Sequence, residues 1–141
     1  MALPEEAGAE TYASEVTFGA HHQGGPGIVH GGIVGAALDE ACGLLATWHR
    51  FPAVTARISI HYRRPVPINR TLRISSRVTA DRGRRIEIAG ELRDGEELLA
   101  EADGAFLHVP LEHSLATPEG RAAGESWARR LAQQPVKRPN E

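Results

Sequence analysis

HHQGGPGIVHGGIVGAALDEACGLL, residues 21–45, sets a glycine-rich loop directly before a run of helix formers. Two carboxylates, Asp39 and Glu40, stand in the middle of this otherwise apolar run. Apolar residues recur there at i, i+4 and i+8, and further apolar residues cover a second face, which is typical of a buried helix. The pattern predicts a loop over residues 19–30 and a buried helix from Gly31 to about Trp48.

The chain after Pro52 changes to an apolar period of two, which is typical of β-strands. The alternation predicts strands around residues 58–63, 72–78, 85–93 and 98–109, and a short strand over Ser14–Phe18 precedes the helix. One long helix followed by antiparallel strands predicts the α+β class. A curved antiparallel sheet wrapped around the one long central helix is the simplest way to bury both.

Turn chemistry marks the strand connections. Asp94-Gly95 is a strong hairpin signal, and the segment DRGR at residues 81–84 is also typical of a turn. Asp103-Gly104 interrupts the last strand and predicts a β-bulge there.

The 141 residues divide into three predicted segments: a flexible leader over 1–13, the main domain over 14–110, and a C-terminal helix with a disordered end over 111–141. Thr117-Pro118 is predicted to open that helix, which continues to Arg130. The net charge of −2 favours no nucleic-acid partner. A single cysteine permits no intrachain disulfide, and the acidic start does not resemble a secretion signal. We therefore expect a cytoplasmic protein without a membrane partner.

Several chemistries could explain glycines before a helix. A phosphate loop requires a Lys-Ser or Lys-Thr pair and a βαβ context, which are absent here. The histidines His21, His22 and His30 match no familiar metal-ligand spacing, so we predict no metal. The remaining interpretation is an oxyanion site, in which free backbone N–H groups at His30, Gly31 and Gly32 face a substrate carbonyl. Glycines that serve tight packing alone are the alternative.

Asp39 follows His30 by nine residues, which on a helix is about 13 Å along the axis and roughly half a turn around it. One carbonyl group could not touch both within one chain. If both serve one reaction, Asp39 must come from a second copy, which predicts a homodimer with two identical sites. A carboxylate inside a buried helix is a candidate base or nucleophile. The alternative is an acid held by hydrogen bonds at a helix contact, and we interpret Glu40 as structural.

The segments HQGGPGIVHGG…LDEA and AVTARISIHYRRPVP, within residues 18–109, resemble the hotdog-fold acyl-CoA thioesterases of the phenylacetate-pathway superfamily. The resemblance implies a hotdog fold, homodimers or homotetramers, and hydrolysis of an acyl-CoA thioester to free acid and CoA. It implies no cofactor apart from the coenzyme A of the substrate.

The resemblance also implies roles for individual residues. Asp39 would activate water or attack the thioester, the amide of Gly32 would polarise the carbonyl, His30 would shape the turn, and Thr55 would place the water. Many members carry Asn where this chain has Gly24, so Gln23 or His22 would orient the substrate instead. The further substrate-binding candidates are Gly31 and the arginines Arg63, Arg64, Arg82, Arg84 and Arg85, which suit phosphate contacts.

The acyl group stays open at this point, with Leu38, Cys42 and Leu45 predicted to wall the pocket at the dimer interface. A thioester on an acyl carrier protein is an alternative substrate. A non-catalytic acyl-thioester-binding protein and a hotdog dehydratase are alternative functions.

Overall fold

The computed structural model describes residues 10–133, which form two compact units divided between His108 and Val109. The predicted leader therefore lies outside the described residues except at its end, and so do residues 134–141 of the disordered end predicted after Arg130. No helix in the described range is both long and apolar enough to cross a membrane.

The first unit is one antiparallel sheet with one long helix packed on its face. The elements are β1 (Thr11–Thr17), a 3-10 turn (Ala20–His22), β2 (Gln23–Gly25), β3 (Ile28–Val29), α1 (Gly31–His49), β4 (Ala53–Tyr62), β5 (Thr71–Arg82), β6 (Arg85–Asp94) and β7 (Glu97–His108). The sheet runs in the order β1-β5-β6-β7-β4, and a separate small sheet pairs β2 with β3. The predicted α+β architecture is confirmed.

The core lies between α1 and the inward-facing residues of the sheet. Val34, Leu38 and Leu45 of the helix are almost fully buried, and Ser76 of β5 donates its hydroxyl to the Ala41 carbonyl at 2.8 Å. That bond satisfies the one side-chain hydroxyl that faces the helix from the middle of β5, so its burial carries little cost. The opposing core side chains on the sheet are Leu72, Ile74, Ile86, Ile88, Leu92 and Phe106.

The second unit contains α2 (Leu111–Ser114) and α3 (Pro118–Gln133). The predicted helix therefore begins where expected and extends three residues beyond Arg130. Its start is capped by Thr117, whose Oγ1 accepts from the Gly120 N–H at 3.0 Å.

Three local predictions differ from the structure. β1 begins at Thr11, three residues earlier than the predicted strand, so the predicted leader includes the first residues of β1. The predicted loop over 19–30 contains the 3-10 turn and the β2–β3 pair instead of irregular chain. Glycine-rich strands carry no apolar alternation, so periodicity could not reveal them.

The predicted bulge at Asp103-Gly104 is wrong, because both residues pair in continuous register with β4 and with β6. Position 104 is glycine for a different reason: a Cβ there would lie 2.8 Å from the Phe106 ring. The pairing of β4 with β7 shifts instead between Thr55 and Arg57. The hairpin predictions are confirmed, since Gly83 and Gly95 occupy the left-handed region with φ of 77° and 58°.

Candidate active site

The start of α1 is held by the side chain of His30. His30 is the N-cap residue, and its Nδ1 accepts a hydrogen bond from the Gly32 N–H at 2.9 Å. Because Nδ1 accepts, the neutral ring carries its proton on Nε2. The Gly32 N–H, predicted to polarise a substrate carbonyl, is therefore already engaged within the protomer.

The N–H of Gly31 is the first of the helix and has no acceptor inside it. None of the hydrogen bonds formed among residues 10–133 engages it. On the other side of the same residue, the Gly31 carbonyl accepts from the Tyr62 hydroxyl at 2.7 Å. Tyr62 was not among the predicted site residues, and no local pattern signals this contact across 31 residues of chain.

The loop before the helix is braced by its own side chains. Gln23 donates its amide to the Ala20 carbonyl and accepts from the Gly27 N–H, both at 2.8 Å. Both ends of this amide hold the loop, so the side chain that was predicted to bind substrate is occupied in the protomer. A Cβ at Gly24 would lie 2.8 Å from the Cα of His30, so a larger residue such as asparagine would require the backbone there to shift.

The histidines of this loop have structural partners. His22 accepts from the Gly19 N–H through Nδ1 at 3.0 Å and meets the Phe18 ring edge-on. Its ring centroid lies 3.8 Å from that of His21. Residues 10–133 contain no group of three or more His, Cys, Asp or Glu side chains arranged to hold a metal ion.

Asp39 and Thr55, two of the predicted site residues, lie within hydrogen-bond distance of each other. Thr55 Oγ1, on β4, donates to Asp39 Oδ1, on α1, at 2.8 Å. Asp39 is half-buried and Thr55 is exposed, so the carboxylate is not sequestered in the core. This hydrogen bond fixes one carboxylate oxygen, and no hydrogen bond among residues 10–133 engages the other. Glu40, beside it, is exposed.

The start of α1 and Asp39 are not brought together within the protomer. The helix is continuous from Gly31 to His49, so the eight steps from Gly31 to Asp39 span about 12 Å along its axis. Edge strand β4 contacts the helix at both positions, because Tyr62 donates a hydrogen bond at the helix start and Thr55 donates one to Asp39. This separation is the one that the sequence predicted.

The predicted pocket walls Leu38, Cys42 and Leu45 instead belong to the core. They are 0%, 0% and 2% exposed and face the sheet, so the prediction that they line an interface is wrong. Burial raises the pKa of the Cys42 thiol to about 12, with further contributions from Asp39 and Asp103. A thiol held neutral in this way is not a nucleophile.

The predicted arginines fall into two groups. Arg63 and Arg64 follow β4 near the helix start and pair with Glu101 and Glu97 of β7. Arg63 holds the pKa of the Glu101 carboxyl below its usual range, chiefly through their hydrogen bond. These two cations are thus neutralised in part by their own protomer.

The second group surrounds the β5–β6 hairpin. Arg82 and Arg85 approach Glu87 at 3.5 and 3.6 Å, and Arg84 Nε donates to the His108 carbonyl at 3.2 Å. The sheet register places this hairpin beside the Ala53 end of β4, and Arg63 follows the Tyr62 end. The ten residues of β4 place the two groups of arginines about 30 Å apart, so both groups of one protomer cannot contact the same substrate molecule.

An antiparallel sheet of this strand order around one helix, with a glycine-rich loop at the helix start, defines the hotdog class of proteins. The chain belongs to the thioesterase superfamily, whose family model matches residues 26–101. This confirms the resemblance recognised in the sequence.

Individual relatives agree with that assignment. The mouse acyl-coenzyme A thioesterase THEM4 is 30% identical over 69% of this chain and 43% of its own length, so the chain spans less than half of that relative. A crystal structure of a thioesterase superfamily protein is 31% identical with a TM-score of 0.65, covering 69% of this chain and 48% of that one. The E. coli PaaI protein of the phenylacetic acid degradation operon shares the fold, with a TM-score of 0.67 at 19% identity over 71% of this chain and 73% of that one.

Proposed function

We propose that the protein hydrolyses the thioester of an acyl-CoA to the free acid and CoA. The observation that carries the proposal is the hydrogen bond from Thr55 to Asp39, which orients a half-exposed carboxylate on a helix that begins with an unengaged N–H. A carboxylate base, a placed water and an oxyanion donor are what hydrolysis of an activated acyl group requires.

The reaction proceeds by attack of water on the thioester carbonyl. Asp39 takes a proton from the water as the new C–O bond forms, and the carbonyl electron pair moves onto oxygen. The Gly31 N–H, rather than that of Gly32, donates to this oxyanion, because His30 already holds the Gly32 N–H. Collapse of the intermediate breaks the C–S bond, and the CoA thiolate takes up the proton that Asp39 received. In the alternative mechanism, Asp39 attacks the carbonyl directly, and water reacts in the second step.

A homodimer assembles the complete site. Gly31 and Asp39 are about 12 Å apart on one helix, so the two groups that act on one carbonyl come from different protomers. β4 lies at the edge of the sheet and exposes Val54 and Tyr62, and an open strand edge favours pairing with a second chain. Antiparallel pairing about a twofold axis would set the Tyr62 end of one β4 beside the Ala53 end of the other. A homotetramer would contain two such pairs.

The same pairing supports a site for the phosphates of CoA. It would bring Arg63 and Arg64 of one protomer toward the end of the partner that carries Arg82, Arg84 and Arg85. Arginine forks suit phosphate oxygens, and the carboxylates that now pair with these side chains are exposed or half-exposed. We also propose a cytoplasmic location, with which the free, buried thiol of Cys42 is compatible.

A protein that binds acyl thioesters without turnover is the competing function. Two hydrogen bonds favour it, because they engage two of the three N–H groups expected to be free at the helix start. The Gly32 N–H donates to His30, and the His30 N–H donates to the His22 carbonyl at 2.8 Å. An acyl carrier protein thioester is the competing substrate of a hydrolase.

Thiol release from a panel of short, medium, long and aryl acyl-CoAs tests the proposal. Asp39→Asn should lower kcat at least about 100-fold while ligand affinity is kept, since it removes the base and keeps the shape. Glu40→Gln, which neutralises the exposed neighbouring acid, is the matched control and should leave turnover unchanged. Thioester binding without release by the wild type, from CoA or from a carrier protein, would establish the binding function instead.

A further inference from the structure

Tyr62 ends β4 with a ring that is 54% exposed, yet its hydroxyl is committed to one partner inside the protein. The ring lies over the first turn of α1, where Cβ atoms added at Gly31 and Gly35 would come within 3.6 and 3.5 Å of its hydroxyl oxygen. Both distances are ordinary van der Waals contacts, so the tyrosine packs closely against this face of the helix.

The hydroxyl of Tyr62 and the ring of His30 hold the same peptide group from opposite sides. The carbonyl of Gly31 and the N–H of Gly32 belong to one planar unit, so fixing the oxygen also fixes the direction of the N–H. Tyr62 donates to that oxygen at 2.7 Å, and the N–H donates to His30 Nδ1 at 2.9 Å. A carbonyl that accepts a hydrogen bond polarises its peptide, which strengthens the N–H as a donor.

This arrangement matters because two consecutive glycines begin the helix. Glycine has the largest conformational freedom of any residue, so a helix start built from Gly31 and Gly32 depends for its order on hydrogen bonds from other residues. His30 provides one such hydrogen bond from within the turn. Tyr62 provides the other, from a strand that is distant in sequence.

We propose that Tyr62 is a positioning residue that acts through the Gly31–Gly32 peptide on His30. It holds the His30 ring with its proton on Nε2 and keeps the Gly31 N–H aimed outward. The consequence for turnover rests on the proposed thioesterase function, whereas the consequence for His30 does not. A tyrosine that only fastened β4 to α1 would contribute to stability and leave the His30 tautomer unchanged.

Tyr62→Phe tests the proposal, because it removes one oxygen and keeps the ring. The first measurement is the tautomer of His30, read from the ¹⁵N shifts of its ring nitrogens at a pH where the ring is neutral. We expect the Nε2–H form to dominate in the wild type and the Nδ1–H form to gain population in the variant. Tyr12→Phe is the matched control, since Tyr12 packs edge-on against Trp48 at the other end of the helix and should change nothing at His30.

The second measurement is the kinetics with the best acyl-CoA. Loss of one hydrogen bond in the support of the site should lower kcat about 5- to 10-fold and leave KM within about twofold. An unchanged tautomer ratio in Tyr62→Phe overturns the proposal whatever the kinetics show. A changed ratio with unchanged kcat overturns the catalytic consequence. A wild type without turnover refutes the proposed function alone, because the NMR measurement still decides the role of Tyr62.

Discussion

Thr55 donates its hydroxyl to Asp39 at 2.8 Å and so joins the edge strand β4 to the middle of α1. The bond occupies Oδ1 of the carboxylate and sets the direction of Oδ2. In the proposed reaction, an acid held in this way would present one oxygen to a water instead of rotating freely, which would reduce the ordering that the reaction requires.

Thr55→Val should therefore lower kcat about 10-fold, because valine keeps the shape of threonine and removes the hydrogen bond that orients Asp39. Thr55→Ser keeps the hydroxyl and should retain most of the activity. Thr71→Val is the control, since Thr71 makes only an exposed contact with Thr17. Steady-state thiol release measures all three. Equal activity of the valine and serine variants would contradict a role for the hydroxyl.

Gly31→Pro should remove the proposed oxyanion donor without disturbing the fold. Proline lacks the N–H and is favoured at the first position of a helix, which Gly31 occupies. His30 has φ −57° and ψ 134°, a conformation that a residue before proline readily adopts. We expect kcat to fall about 100- to 1,000-fold with an unchanged circular dichroism spectrum. A variant that is folded and fully active would exclude the Gly31 N–H as the donor.

The same variant can show whether the site is shared between protomers. Asp39→Asn and Gly31→Pro are each expected to be nearly inactive. After mixing equal amounts under conditions that allow exchange, half of the dimers carry one chain of each kind, and each such dimer has one complete site. Activity should then recover to roughly a quarter of the wild-type value. No recovery in confirmed mixed dimers would place Gly31 and Asp39 in sites formed within one chain.

The parts of this molecule that periodicity governs could be predicted from the sequence, and the parts that depend on register or distant contacts could not. The span of α1 and the existence of the four long strands follow from apolar spacing alone. The need for glycine at positions 24 and 104 could not be predicted, because it comes from the close approach of the His30 backbone and of the Phe106 ring. The hydrogen bond from Thr55 to Asp39 was not predicted, because the resemblance implied only a separate role for each residue.

The buried positions show the same division. Asp39 stands next to Leu38 in the chain, but one is half-buried at the surface of α1 and the other is fully enclosed by the sheet. Leu38 was wrongly predicted to lie at an interface, because a helix that is apolar all round does not reveal which face meets the sheet. The partners of the arginines depend on the β4–β7 register, which no local pattern specifies.

The arginines should distinguish CoA thioesters from pantetheine thioesters, which lack the nucleotide phosphates. Replacing Arg63 and Arg64 together by alanine should raise KM for acyl-CoA about 5-fold and leave KM for the acyl-pantetheine unchanged, because each exposed phosphate contact contributes only modestly. The pair Arg82→Ala and Arg84→Ala tests the hairpin group in the same way. Arg121→Ala, in the second unit, is the control. A change in KM that is equal for both thioesters would show that the arginines act through the fold.

His49 should make the stability of the first unit depend on pH. Its ring lies between Glu10 and Asp81 in the last turn of α1, bonded to Glu10 through Nδ1 and to Asp81 through Nε2 at 2.8 Å. Burial by itself would lower the pKa of His49, but the hydrogen bonds to Asp81 and Glu10 outweigh it and raise the pKa above 6.5. The hydrogen bond from His49, and then that from the Gly83 N–H, lower the pKa of Asp81.

The sign of the effect follows from these directions. Because the folded state binds the His49 proton more tightly, the stabilisation is fully present below the ordinary value of 6.5 and is lost as pH rises through the raised pKa. Asp81 contributes above its ordinary value of 3.8 and loses its contribution as pH falls through the lowered pKa. At pH values between 3.8 and 6.5 both contributions are present.

His49→Gln should therefore lower Tm by about 4 °C near pH 5.5, which corresponds to about 1 kcal/mol for a domain of this size, and by progressively less as the pH rises above 6.5. Thermal unfolding of the wild type and the variant at several pH values measures the difference. His113→Gln, an exposed histidine of the second unit, should follow the wild type throughout. A Tm difference for His49→Gln that stays constant across this range would mean that the ring contributes through packing, because only the charged form of His49 gains from its two carboxylate partners as the pH falls.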